Sequence, residues 1–314
     1  MFKNPIFSEP IVSESLLSDA EIMQLIYAAP ENTLLNSNQL SQSSRIGEQI
    51  ASTTGSGSDF AEVRAYQPGD EPRHIDWRAT ARSQYPLVRT YHSEFSQPLC
   101  LLIDRRLAMR FATRVRLKVT QALRMALWIG GGAARSGREI SAVLLDYPCH
   151  WLPSQQGMLS LRSMAKLANL PCPPLELEDT QQINWQQILS GLEQHIPKGS
   201  ELILLSDFSG LGDDDNKMLC MLGHHCIVRA IHIFDPSESV DQLEINTGFS
   251  GALKLQWGDK IRYFSATKAA AIEHLKNELQ VRSEAIARRF RQADMDYVQL
   301  SVEQDELTDF WFRI

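Results

Sequence analysis

The chain has 314 residues, of which 43% are hydrophobic and 22% charged, proportions typical of a globular protein with a sizeable core. Its net charge of −7 disfavours a protein that binds nucleic acid or an anionic membrane surface through general electrostatic attraction. The five cysteines are odd in number and include no C-x-x-C pair, which argues against a disulfide framework or a zinc site and favours free thiols in a reducing cytoplasm.

Residues 1–58 are polar and rich in serine, and they are interpreted as an N-terminal helical and flexible segment. The run Ser18–Glu21 predicts a capped helix start, residues 39–50 predict a second helix, and residues 53–58 are typical of a flexible joint. The first ten residues carry no basic region followed by an apolar run, so no signal peptide is predicted and a cytoplasmic location is expected.

Residues 59–98 have the texture of a small β subdomain. Strand-like runs at 60–66 and 87–92 flank the turn signal Pro68–Asp70, in which proline fixes φ and glycine tolerates a positive φ.

Residues 99–314 show strands that alternate with helices. Strands are predicted at 99–103, 139–146, 201–205, 227–234 and 296–300. Helices are predicted at 113–135, 155–169, 182–195, 216–223 and 266–292. A further hairpin is predicted from 252–257 to 260–264 around Gly258 and Asp259. This alternation predicts the α/β class with a doubly wound, mostly parallel sheet. The apolar stretch 117–134 contains Lys118 and Arg124, so it is interpreted as a buried helix and no membrane span is expected.

The most specific signal is a dense motif across the β subdomain. It consists of an R-x-Y-x-x-G-D run at Arg64, Tyr66, Gly69 and Asp70, an R-x-I-D-W run at Arg73, Asp76 and Trp77, and a T-A-R run at Thr80 and Arg82. In this respect the chain resembles the bacterial domain-of-unknown-function 58 family, and the resemblance covers roughly residues 59–209. It implies a von Willebrand factor A-like α/β core and a partnership with a MoxR-type AAA+ ATPase.

The motif supports two interpretations. The aspartates can pair with neighbouring arginines to form a structural brace that holds the subdomain in place. Alternatively, Trp77 and Arg82 form an exposed surface that recognises a protein partner, since a large aromatic ring with a polar edge suits such a surface.

Two aspartates follow strands whose carboxyl ends share one edge of the predicted sheet, where ligands gather in open α/β folds. These are Asp104 and Asp207. The resemblance implies that this edge corresponds to the metal-ion-dependent adhesion site of von Willebrand factor A domains, a D-x-S-x-S pattern with a threonine and a later aspartate. Ser206, Asp207 and Ser209 match the later part, and Thr180 is a candidate for the threonine or simply a helix cap.

The first part of the pattern is lost, because Arg106 and Ala108 stand where the two serines are expected. We therefore expect a degenerate site in which Arg105 or Arg106 pairs with Asp104 or Asp207. No cofactor is expected, although weak Mg²⁺ binding stays open because carboxylates and hydroxyls suit that ion. An arginine at this position also suits a partner's carboxylate.

A basic run lies nearby and consists of Arg105, Arg106, Arg110, Arg114, Arg116 and Lys118. It predicts either a patch that faces an acidic partner or a set of solvated and internally paired side chains. No G-x-S-x-G or H-E-x-x-H motif is present, and Gly130–Gly132 lies at the end of a helix rather than at the start of one, as a phosphate-binding loop requires.

We therefore expect a non-catalytic protein-interaction or adaptor module that binds protein through the carboxyl edge of its sheet and the β subdomain. The partner that the resemblance implies is the MoxR-type ATPase, in assembly or maturation of a client complex. Two alternatives stay open: a metal-dependent hydrolase using Asp104 and Asp207, and a purely structural subunit.

Overall fold

The computed structural model of the protein describes the backbone of residues 15–29, 59–66, 75–83, 85–92, 97–110, 112, 115–146, 149–172, 184–238, 252–257, 260–265 and 269–308. The chain divides into two compact units, one formed by Met1–Leu35 with Gln97–Ile314 and the other by Asn36–Ser96. Several predicted features lie outside the described residues, namely the helix at 39–50, the joint at 53–58, the turn at 68–70 and the turn at 258–259.

The larger unit is built on a six-stranded sheet with the order β10-β7-β6-β3-β4-β5. Its strands are β3 (Leu99–Asp104), β4 (Glu139–Leu145), β5 (His150–Gln156), β6 (Glu201–Ser206), β7 (Ile227–Phe234) and β10 (Asp296–Ser301). All neighbouring strands pair in parallel except β4 and β5. The predicted α/β class with a mostly parallel sheet is therefore confirmed.

Helices cover both faces of this sheet. They are α1 (Asp19–Ala28), α3 (Lys118–Arg135), α4 (Met158–Ala168), α5 (Trp185–His195), α6 (Asn216–His225) and α7 (Ala269–Gln292). One core cluster joins α1, α3 and α4 to Leu99, Leu101 and Ile103, and the other joins α5, α6 and α7 to Cys100 and Leu102. Because alternate residues of β3 enter opposite clusters, this strand is apolar from Leu99 to Ile103.

Strand β5 was not predicted, and the helix predicted at 155–169 begins instead at Met158. Residues of β5 are mostly exposed and include Pro153, so neither alternation nor hydrophobicity marks them as a strand. The strand pairs antiparallel with β4 alone, at the sheet edge, where a proline is tolerated. Gly157, with φ of 64°, then makes the transition into α4.

Residues 15–29 form a helix with its preceding cap, and this helix packs on the larger unit. Helix α1 begins with the predicted cap, in which Ser18 and Glu21 form a capping box, and buries Ile22, Leu25 and Ile26 in the first core cluster. Its packing against α3 is close at Gly131, where an added Cβ would lie 2.2 Å from the carbonyl oxygen of Ile26. Gly131 therefore serves helix packing.

We expect Gly131→Ala to lower the free energy of unfolding by about 1–3 kcal/mol, because a backbone carbonyl cannot rotate away from the new methyl group. Urea denaturation of the full chain measures this loss. Gly130→Ala is the matched control in the same helix, since its Cβ would meet only the flexible ends of side chains, the nearest being Cδ1 of Leu161 at 2.7 Å. Equal losses for both variants would contradict the close approach as the cause.

The smaller unit contains an antiparallel pair, β1 (Asp59–Ala65) and β2 (Leu87–His92), together with a short helix α2 (Trp77–Thr80). These two strands lie where the sequence predicted strands at 60–66 and 87–92. Strands β8 (Ala252–Trp257) and β9 (Lys260–Ser265) form a separate antiparallel pair, which confirms the predicted hairpin strands.

Candidate functional site at the carboxyl edge of the sheet

The two candidate aspartates lie on neighbouring strands at the carboxyl edge of the sheet. Asp104 is the last residue of β3 and Asp207 follows β6, with which β3 pairs. Both side chains are removed from solvent, since Asp104 is 0% and Asp207 2% exposed. Buried carboxylates of this kind require partners that compensate for lost hydration.

Asp104 is compensated by the residue two positions further along the chain. Arg106 donates from Nε to Oδ1 at 3.0 Å and from Nη2 to Oδ2 at 2.7 Å, and its backbone N–H donates to Oδ1 at 2.9 Å. Ser206 Oγ donates to Oδ2 at 2.6 Å. The Arg106–Asp104 ion pair is one of the pairings expected from the sequence.

The guanidinium of Arg106 is fixed on its other side by an aromatic ring. It lies 4.7 Å from the ring centroid of Trp185, whose indole N–H donates to the carbonyl of Ser209. Burial lowers the pKa of Arg106, but Asp104 and Asp207 outweigh this effect and raise it, so the group stays cationic. The Arg106 side chain is 23% exposed at the edge.

Asp207 is compensated by a residue that sequence reasoning did not assign to the site. Lys118 Nζ lies 2.9 Å from Asp207 Oδ2 and 2.9 Å from Oε1 of Glu238, a residue of the turn after β7. Lys118, at the start of α3, is 1% exposed. The sequence offered only a weak signal of this burial, namely the position of Lys118 at the start of a largely apolar helix.

The charges of this pair stabilise each other. Burial raises the pKa of Asp207, but Lys118 and Arg282 outweigh this effect and hold it well below its usual range. Burial likewise lowers the pKa of Lys118, and Asp207 and Glu238 outweigh it and raise the pKa above its ordinary value. Both groups are therefore charged at neutral pH.

The serines of the predicted pattern are engaged in local hydrogen bonds. Ser206 Oγ accepts from the backbone N–H of Phe208, and Ser209 donates to Asp207 from both its backbone N–H and its hydroxyl. Arg282 on α7 donates to Ser209 Oγ at 2.8 Å. Thr180, the other predicted hydroxyl, lies outside the described residues.

This donor set does not fit a divalent cation. The ammonium of Lys118 and the guanidinium of Arg106 already bind the carboxylates that would ligate the metal, and two buried positive charges would repel it. In the part of the chain that the structure describes, no group of three or more His, Cys, Asp or Glu residues has metal-binding geometry.

Most described side chains of the basic run form hydrogen bonds and ion pairs within the protein. This agrees with the second of the two interpretations of the run, that of solvated and internally paired side chains. Arg105 is 3% exposed and donates to the carbonyl groups of Leu167, Ala168, Leu170 and Pro171 at the end of α4. Arg105 and Arg110 both pair with Asp146, and Arg116 pairs with Asp305. Arg114 lies outside the described residues.

A cavity of about 300 Å³ adjoins the Lys118–Asp207 pair beneath α7. His232 lines it, and its Nδ1 lies 2.6 Å from the hydroxyl of Tyr297. Burial lowers the pKa of His232 to about 3, so the ring is neutral and is not a cation at physiological pH. Arg282, Glu238 and Glu284 also line the cavity, which therefore carries both signs of charge.

The family motif in the smaller unit divides into structural and exposed residues. Asp76 caps α2 by accepting from the N–H groups of Arg78 and Ala79, and Thr80 Oγ1 accepts from the N–H of Leu87. Trp77, in contrast, is 69% exposed, and Arg82 is exposed as well. Tyr66 is half-buried, and the side chain of Arg64 and all of Gly69, Asp70 and Arg73 lie outside the described residues.

Comparison with known proteins identifies relatives that are described as uncharacterized. Uncharacterized proteins of Mycobacterium bovis and Mycobacterium tuberculosis are each 23% identical over 269 residues, which cover 84% of this chain and 80% of theirs. The conserved hypothetical protein BatB from Bacteroides thetaiotaomicron aligns with a TM-score of 0.42 and 7% identity, covering 69% of this chain and 96% of that one. An uncharacterized membrane spanning protein from Vibrio fischeri aligns with a TM-score of 0.19 and 12% identity, covering 68% and 97%. No helix among the described residues of this chain is long and apolar enough to cross a bilayer.

Residues 62–243 match the family model described as protein of unknown function DUF58, and this match spans more than half of the chain. It includes the whole motif from Arg64 to Arg82 and both aspartates of the carboxyl edge. The chain therefore belongs to the DUF58 family.

Proposed function

We propose that the protein is a non-catalytic interaction module whose partner binds at the carboxyl edge of the sheet. The observation that carries the proposal is the state of Arg106, a cation held in place at the edge. Its Nε and Nη2 bind Asp104 and its plane lies over Trp185, while 23% of the side chain stays exposed. A charge held in one orientation binds a carboxylate with less loss of side-chain entropy than a mobile one.

The atom that remains for a partner differs from the one that the sequence suggested. The Nε and Nη2 fork is occupied by Asp104, and among the described residues no hydrogen bond is made by Nη1. A partner's carboxylate would therefore approach Arg106 from its Nη1 end. The role of the site would be recognition, because Arg106 and Lys118 already neutralise both buried carboxylates.

Von Willebrand factor A-like identity and a MoxR-type AAA+ ATPase as the partner follow from the family resemblance, and we include both in the proposal. The exposed Trp77 and Arg82 of the smaller unit provide a second surface of the same character, since aromatic and arginine side chains are enriched at the centres of protein interfaces. The ATPase encoded by the same organism is the partner to test.

The test measures binding of the purified ATPase to the full chain by calorimetry. We expect the double variant Arg106→Gln with Asp104→Asn to weaken binding by about tenfold or more, because it removes the edge cation without leaving a buried charge unpaired. The matched control is Arg229→Gln with Asp296→Asn, which removes an ion pair at the amino ends of β7 and β10. Trp77→Ala should also weaken binding while leaving the unfolding transition unchanged.

Unchanged affinity in the edge variant would remove the proposal of recognition at Arg106. A Mg²⁺-dependent hydrolysis of phosphate esters or nucleic acid that is lost in Asp207→Ala would favour the hydrolase alternative instead. Absence of ATPase binding by the wild-type chain, together with no turnover, would favour a purely structural subunit.

A further inference from the structure

A groove separates α1 from α4 on the outer face of the larger unit. Both helices pack on α3 in the same core cluster, and the space between them has a volume of about 460 Å³. Its floor contains Ile22, Ile26 and Ala165, all of which are at least nine-tenths buried. The floor is therefore apolar and shaped by the core.

The walls of the groove expose apolar side chains to solvent. Met23 on α1 is 47% exposed, and Leu170 just beyond α4 is 50% exposed. The apolar surface extends along both helices, because Tyr27 lies one turn after Met23 and is 61% exposed, and Leu159 on α4 is 70% exposed. Exposed apolar side chains along the walls of an apolar groove are typical of a protein-binding site.

The charge of the α4 rim indicates the chemistry of the occupant. Arg162 and Lys166 are exposed, lie one helical turn apart and line the groove. Asp19 on the facing rim of α1 is the one acidic residue among the described lining residues, so the groove has a net positive charge. Helix α4 contains no acidic residue, although the protein as a whole carries a net charge of −7. Across the described residues, every arginine and lysine of the carboxyl edge has an acidic partner, whereas Arg162 and Lys166 form no ion pair.

The groove is held open by specific contacts. The side-chain amide of Asn169 donates to the carbonyl of Leu17 at 2.8 Å and accepts from its N–H at 2.7 Å, which fixes the start of α1 against the end of α4. At the other end of α1, Arg135 of α3 donates to the carbonyls of Ile26 and Ala29. A groove with both ends fixed loses little conformational entropy when it is filled.

We propose that this groove binds an amphipathic helix of a partner protein, with its apolar face on Met23 and Leu170 and two acidic residues, one turn apart, on Arg162 and Lys166. The site is separate from Arg106 and does not depend on recognition at the edge. It ends near the carboxyl edge, however, because Arg105 binds the carbonyls of Leu170 and Pro171 and is followed directly by Arg106. One partner could therefore occupy both surfaces.

The experiment uses the full chain and two synthetic peptides of about 20 residues, a length at which helix formation is favourable. Both carry leucines at helical spacing, and they differ only in having glutamate or lysine at the flanking positions. We expect the acidic peptide to bind at least about tenfold more tightly than the basic one, as measured by fluorescence anisotropy. Arg162→Glu with Lys166→Glu should invert that preference.

Matched variants distinguish binding in the groove from nonspecific electrostatic or hydrophobic binding of the peptides elsewhere on the surface. Lys198→Glu with Arg288→Glu makes the same charge change at exposed residues elsewhere and should keep the preference. Met23→Gln with Leu170→Gln should abolish binding of both peptides, whereas Val281→Gln with Met221→Gln, also exposed, should not. The edge variant Arg106→Gln with Asp104→Asn should bind the acidic peptide as the wild type does. The groove and the recognition site at Arg106 are therefore tested separately, and failure of one proposal does not imply failure of the other.

Three results would overturn the proposal. The first is equal or absent binding of the two peptides by the wild-type chain. The second is binding of the chain to vesicles that contain phosphatidylglycerol, lost in Met23→Gln with Leu170→Gln, with no peptide binding, which would indicate a lipid surface. The third is a concentration-dependent dimer that the same variant converts to monomer, which would indicate that a second copy of this chain fills the groove.

Discussion

Replacing Lys118 with methionine is expected to lower the free energy of unfolding by about 3–5 kcal/mol, the usual cost of removing one partner of a buried ion pair. Methionine keeps most of the volume of the lysine stem, so little of the loss comes from packing. Asp207, at 2% exposure, would remain charged beside Ser209 with its nearest cation gone. Glu238 would lose the same partner. Equilibrium urea unfolding at pH 7 measures the loss.

A second substitution distinguishes the effect of an unpaired buried carboxylate from the effect of changed packing at Lys118. Asp207→Asn in the Lys118→Met background should recover a large part of the lost stability, because no uncompensated carboxylate then remains at that position. Lys198→Met changes an exposed lysine and should have an effect within about 0.5 kcal/mol. If Lys118→Met behaved like Lys198→Met, the buried network would not stabilise the fold.

The dependence on pH provides a further check on the same pair. Because the pKa of Asp207 in the folded protein lies below its usual value of 3.8, its contribution to stability is present above that value and is lost as the pH falls below it. In Lys118→Met the cation that lowers this pKa most is gone, so the pKa of Asp207 lies higher than in the wild type and the folded variant binds a proton at a higher pH. The stability difference between wild type and variant should therefore narrow as the pH falls from 7 through the pKa of Asp207 in the variant.

Replacing Arg105 with methionine is expected to cost about 3 kcal/mol and to loosen the end of α4. The carbonyl groups in the last turn of a helix have no partner within the helix, and here Leu167 and Ala168 receive the guanidinium of Arg105 instead. Two further carbonyls, those of Leu170 and Pro171, depend on the same group. Losing charge-assisted bonds to buried acceptors is costly because water cannot replace them in place.

Hydrogen–deuterium exchange should locate this effect. We expect faster exchange in peptides that cover residues 158–172, with little change in β6 and β7 on the far side of β3. Arg162→Met, an exposed arginine on the same helix, is the control and should leave both exchange and stability near wild type. A uniform increase in exchange across the molecule would argue against a local role for Arg105 at the end of α4.

Much of the fold could be predicted because its signals are local. The strand 227–234 has the observed bounds, and the apolar helix predicted near 117–134 is α3, buried against the sheet. Strand β5 could not be predicted, because its stability comes from hydrogen bonds to β4 rather than from its own hydrophobicity. The positions of Asp104 and Asp207 at one edge followed from their places at the ends of parallel strands.

The assignment of cations to these acids could be predicted only where the partners are close in sequence. Arg106 lies two residues from Asp104, so the pair was a natural expectation. Lys118 and Asp207 are 89 residues apart, and in the sequence Lys118 was simply the last member of a basic run. Likewise, the sequence did not indicate a structural role for Gly130–Gly132. The structure shows that α1 packs closely against Gly131.

The sequence by itself determined the family, the α/β class and the edge at which acidic side chains gather, because motifs, periodicity and strand ends are local properties of the chain. The tertiary structure alone decided which charges neutralise each other and which remain exposed. Lys118 is enclosed with Asp207 and Glu238 because the start of α3 is packed between the ends of β6 and β7. Trp77, Arg162 and Lys166 stay in solvent because, in the part of the chain that the structure describes, no other element covers them. Burial depends on all the neighbours at once, and no stretch of sequence contains that information.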